Sequence, residues 1–130
     1  MKIAQRLMAV IAILFGIATL IAGGRVLLGA DPGYTVYRPL LVYNVTMGAA
    51  YIVAGILAWV DVVHGKRAAA TIFILNCLVL AGVSFLYLQQ GGVAVESLRA
   101  MTLRTVVWLA LFLGLRRLAA ASTAGHGPNG

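Results

Sequence analysis

Two stretches of this chain, Leu40 to Val60 and Ala68 to Leu88, carry no charged residue at any position. Each exceeds the ~18 apolar residues that mark a spanning segment, because a helix rising ~1.5 Å per residue then crosses the ~30 Å hydrocarbon core of a bilayer. A third run, Leu7 to Gly24, is bounded by Arg6 and Arg25. A fourth, Thr105 to Leu115, is short and reaches spanning length only when extended back past Arg104. The expected fold is therefore all-α: an integral membrane protein built as a bundle of four transmembrane helices. Their expected bounds are about 5–28, 40–61, 67–89 and 96–118, one domain over 1–118 followed by a flexible tail at 119–130.

Composition agrees. The chain is 62% hydrophobic and 10% charged, where a soluble domain carries roughly a quarter charged residues. The N-terminal segment "MKIAQRLMAVIAILFGIATLIAGG" has the basic start, apolar middle and small residues of a signal peptide. Its apolar core exceeds the usual ~7–15 residues of such peptides, however, and it shares a pattern with the second run, so it is read as the first span.

The net charge of +7 would suggest nucleic acid in a soluble protein. Here the basic residues lie at helix ends, where they set orientation and meet lipid phosphates, so no nucleic-acid partner is expected. Lys2, Arg6, Lys66, Arg67, Arg116 and Arg117 fall on one side with Asp61 and His64; Arg25, Arg38, Arg99 and Arg104 fall on the other with Asp31 and Glu96. The positive-inside rule then makes both termini cytoplasmic, in a multi-pass protein of the plasma (inner) membrane. Between the second and third runs, "DVVHGKR" reads as a tight turn with Gly65 in a left-handed conformation. Cys77 lies in mid-span and reads as a small apolar residue.

The first two runs share the pattern G-x-A-x-x-x-A-G, at Gly16 to Gly23 and Gly48 to Gly55. The small pairs Ala18/Ala22 and Ala50/Ala54, with Ala110/Gly114 on the fourth run, are each one turn apart and let helices approach closely in lipid. Such faces suit self-association or contact with other membrane subunits.

Polar groups at depth are the natural functional candidates. Arg104 leads them: twelve residues from Arg116 place it ~18 Å above that boundary, at an insertion cost of about 2.5–3.5 kcal/mol. It can snorkel along its stem or face the bundle, and acceptors on the outer side favour the inward direction. Glu96 and Arg99, three apart on a helix, are expected to pair. Arginines then remain in excess over carboxylates on this side. Arg25, Arg38, Asn44 and Arg104, with Tyr34, Tyr37 and Tyr43 nearby, compose a candidate pocket for an anionic, lipid or quinone-like molecule, since the guanidinium fork suits carboxylate and phosphate. The competing reading assigns these arginines to lipid head groups and the tyrosines to an interfacial belt. Asn76, in the third run, is expected to bond across helices.

Enzyme signatures are absent from the sequence. No His/Cys/Asp/Glu set has metal-ligand spacing, no paired intramembrane histidine could hold haem, and no phosphate-loop pattern surrounds Gly91-Gly92. No metal or cofactor is expected, and the lack of a carboxylate at depth argues against a proton-coupled exporter. Two functions of different class remain: a non-enzymatic accessory or structural component of a membrane complex, and a small ligand-binding or transport protein using the outer arginine pocket.

Overall fold

The computed structural model describes residues 2–33, 36–89 and 92–125. Four helices follow one another: α1 (Lys2–Leu27), α2 (Arg38–Val60), α3 (Val62–Leu88) and α4 (Val95–Gly125). Each is long and apolar enough to cross a membrane, and together they pack as a bundle. A helix satisfies its own backbone polar groups, which hydrocarbon cannot do for it. The chain is thus a four-span membrane protein. The end of α1, the start of α2, the end of α3 and the start of α4 lie on one face of the bundle (the connection face), and the α2–α3 junction with the start of α1 and the end of α4 lies on the other (the terminal face).

Local chemistry sets the helix ends. α1 stops at Gly29, whose φ of +113° suits a residue without Cβ. The Ala30 N–H bonds to the Arg25 carbonyl (2.9 Å) and the Gly29 N–H to the Val26 carbonyl (3.1 Å), the paired closure of a Schellman motif. Beyond it, Asp31 accepts from the Gly33 N–H at 2.8 Å. α2 opens with Pro39 in its first turn, where the missing N–H would have no helical partner.

The α2–α3 junction departs from the expected turn. A single residue, Asp61, separates the helices, and Gly65 is helical and buried rather than left-handed. Two contacts account for this. Asp61 caps α3 by accepting from the Val63 N–H at 3.0 Å, and Gly65 lies so close to α2 that an added Cβ would stand 2.5 Å from the Ala58 Cα. At the far end α4 continues through Gly125, well into the segment expected to be a flexible tail. Ala119 to Ala121 are strong helix formers, and Ala119 is buried. Residues 126–130 of that tail lie outside the described residues.

The Asp61 cap makes a pH prediction. The Val63 N–H, then the His64 ring 2.5 Å away, hold the Asp61 carboxyl below its ordinary 3.8. A carboxylate with a lowered folded pKa stabilises the fold above its unfolded pKa, and that contribution is lost as pH falls through the folded value. Thermal melts should therefore show Asp61→Ala less stable than the wild type at neutral pH, with the gap closing once pH falls below 3.8.

Lipid offers no hydrophobic drive for helix association, so close packing must supply it. α1 lies along α2 through the outer glycines of the shared pattern. An added Cβ on Gly16 would stand 2.7 Å from the Gly48 carbonyl oxygen, and one on Gly55 would stand 2.8 Å from that of Ala9. The glycines, seven residues apart, form the seam, while Ala18 and Ala22 stay exposed. α3 lies along α4 and α2 along α3, but α1 and α4 meet sparsely. They close near the terminal face, where Gly114 packs on Met8, and part toward the connection face.

Candidate functional site

A polar chain crosses the middle of the bundle. The Tyr43 hydroxyl donates to Asn76 Oδ1 (2.8 Å), and Asn76 Nδ2 donates to the Tyr51 hydroxyl (3.3 Å). Tyr51 and Asn76 are both fully buried. Tyr51 also packs against Trp108 (ring centroids 4.8 Å apart) and Phe15 (5.6 Å). The chain therefore ties α3 to α2, and the aromatic stack ties α2 to α1 and α4. Interhelical side-chain bonds in membranes contribute ~0.6–2 kcal/mol each. Asn76→Leu removes both and strands two tyrosine hydroxyls, so a loss of about 1–3 kcal/mol is expected, measured by unfolding in mixed micelles.

Arg104 stands beside this network. It lies nine residues into α4 from Val95, ~14 Å below that end of the helix. It is partly buried, close enough for its charge to act on the Tyr51 hydroxyl. On the connection side it lines a cavity of about 90 Å³ among α1, α2 and α4. The cavity's polar walls are Arg104, Asn44, Ser97 and Tyr37; its apolar walls include Ala22, Val26 and Leu40. At ~30 Å³ per water the space suits about three waters, or one phosphate- or carboxylate-sized group.

Asn44 has a second claim on this cavity. It is 9% exposed, and its Oδ1 has no hydrogen-bond partner among the described residues. Buried amides are rarely left so, since an unsatisfied polar atom costs about 1–3 kcal/mol. No acidic side chain lines the cavity. Asn44 Oδ1 is an acceptor, so an occupant suited to both walls carries anionic oxygens for the guanidinium and a hydroxyl or bound water that donates to the amide oxygen.

The four residues singled out from the sequence separate into two pairs. Arg104 and Asn44 share the cavity. Arg25, in the last turn of α1, and Arg38, the first residue of α2, are exposed and do not line it. Tyr37 lines it; Tyr43 turns instead to Asn76; Tyr34 lies outside the described residues. The expected pairing of Glu96 with Arg99 is not among the ion pairs of the described residues. Both side chains are exposed, where water screens such a pair to little advantage.

Sequence reasoning missed Ser97 as a wall of the site and Tyr51 and Trp108 as its support. A signal for Ser97 existed: it precedes Arg104 by seven residues, two helical turns, and so shares its face.

Below the cavity and sharing Ala22, Ala100 and Arg104 with it, a cleft of about 210 Å³ opens between α1 and α4. Phe15, Ala18, Thr19 and Leu103 complete its walls. The Thr19 hydroxyl is turned away to the Phe15 carbonyl (2.8 Å), which leaves the cleft mainly apolar. Among the described residues no three potential metal ligands come together. Comparison with protein families, with curated proteins and with solved structures finds no match for this chain.

Proposed function

We propose that this chain is a non-enzymatic membrane component that binds an anionic group in the Arg104 cavity. The carrying observation is that Arg104 and the nine-tenths-buried Asn44 line one cavity with no acidic side chain in its wall. A guanidinium in a site of low dielectric binds phosphate or carboxylate through charge-assisted bonds, about twice as strong as neutral ones. Nothing in the arrangement supplies a nucleophile with an adjacent base, so binding rather than turnover is the function it supports. By the positive-inside rule both termini are cytoplasmic and the cavity opens on the outer side of the plasma membrane.

A second reading, a subunit of a larger membrane complex, draws support from Ala18 and Ala22, exposed one turn apart on α1. It gives the Arg104 cavity no role, which is why the binding reading is preferred.

Equilibrium binding to the detergent-solubilised protein tests the proposal. Short-chain phosphatidylglycerol should bind at least tenfold more tightly than its phosphatidylcholine counterpart, and Arg104→Ala should remove the preference. Equal affinities for the two lipids in the wild type would refute it.

A further inference from the structure

We infer that the anion is the head group of a lipid whose acyl chain lies in the α1–α4 cleft, so that the molecule loads sideways from the bilayer. The inference rests on the binding reading above and adds the class of ligand and its route.

Three observations carry it. First, the cavity and the cleft adjoin, since Ala22, Ala100 and Arg104 line both. Second, their polarity is graded. The polar walls, Ser97, Tyr37, Asn44 and Arg104, surround the upper cavity toward the connection face, while Phe15, Ala18 and Leu103 line the cleft below. A lipid in the leaflet of the connection face has the same order, head group toward that face and chain toward the bilayer middle. From Ala22 down to Phe15 the cleft follows α1 for about 10 Å, the length of part of one acyl chain.

Third, access exists where it is needed. α1 and α4 meet sparsely, and the cleft walls Ala18, Ala22 and Leu103 are exposed on the membrane-facing surface. The alanines keep this doorway wide. They belong to the shared glycine-alanine pattern, yet its glycines make the α1–α2 seam and these alanines contribute nothing to it. A water-soluble anion would need only the upper cavity and would leave the apolar cleft without a purpose.

The test uses the full chain in detergent with two probes, glycerol 3-phosphate and dioleoyl phosphatidylglycerol, on the wild type, Arg104→Ala, Ala18→Phe and Leu103→Trp. The last two fill the cleft from opposite walls. Both positions are exposed, so the fold should persist, checked by thermal melts. Loss of at least tenfold in phosphatidylglycerol affinity in both cleft variants, with glycerol 3-phosphate binding unchanged or absent throughout, supports the inference. If the cleft variants bind phosphatidylglycerol as the wild type does while Arg104→Ala loses it, the sideways route is overturned and the anion site stands. If Arg104→Ala matches the wild type for every probe, or if no probe binds the wild type, Arg104 makes no anion site and both readings fall.

Discussion

Gly55→Leu is expected to cost the bundle about 3 kcal/mol or more, enough to leave much of the protein unassembled in mild detergent. An added Cβ at this position would stand 2.5 Å from Ile13 Cγ1 and 2.8 Å from the Ala9 carbonyl oxygen. The side chain of Ile13 can give way; the backbone of α1 can do so only by moving the helix. In lipid that movement forfeits the close contact that holds the pair, since separated helices meet hydrocarbon as apolar as their own side chains. Gly24→Leu is the control, because a Cβ there meets nothing within 4 Å. It should change stability by less than ~1 kcal/mol, in the direction of a gain from helix propensity. Unfolding followed by far-ultraviolet circular dichroism in increasing dodecyl sulfate distinguishes the two.

Arg104→Leu should separate binding from folding. If Arg104 served mainly to hold the helices together, its loss would destabilise them. As a ligand-binding group it is maintained against an insertion cost of about 2.5–3.5 kcal/mol, so an apolar replacement should leave the melting temperature level or raised. Binding of anionic lipid should meanwhile fall at least tenfold, or ~1.4 kcal/mol. Arg104→Lys keeps the charge but not the planar fork, and should recover only part of the affinity. A lower melting temperature with binding intact would make Arg104 a structural residue.

The spans were legible because their cause is one-dimensional. Length and freedom from charge decide whether a helix crosses a bilayer, and both can be read along Leu40 to Val60 without knowing what surrounds it. Which face packs against which was less legible. These helices are apolar all round, with Leu14, Ile21, Leu78 and Val106 exposed to lipid, so hydrophobic periodicity does not separate core from surface. The glycine-alanine pattern did mark a seam: Gly16 and Gly55 make the contact, and on α2 Ala54 is buried with Ala50 packed beside it, but on α1 the pair Ala18/Ala22 faces outward. The Asp61 junction was misjudged because Gly65 reads as a turn residue in sequence, whereas here it is the close approach to Ala58 that needs a glycine.

The site was half legible for a similar reason. Arg104 and Asn44 could be found as polar residues in apolar runs. Arg25 and Arg38 were grouped with them through shared sidedness in the membrane, and sidedness does not determine which way a helix end points its side chains. Tyr51 and Trp108 gave no sign, because an aromatic residue in an apolar span reads equally as core, belt or lipid face.

The anion site is tested most directly by native mass spectrometry of the purified protein offered equal amounts of phosphatidylglycerol and phosphatidylcholine. Wild type and Arg25→Ala, whose substitution lies outside the cavity, should retain phosphatidylglycerol selectively, and Arg104→Leu should retain neither lipid selectively. Equal retention of the two lipids by the wild type, or unchanged selectivity in Arg104→Leu, would contradict the account.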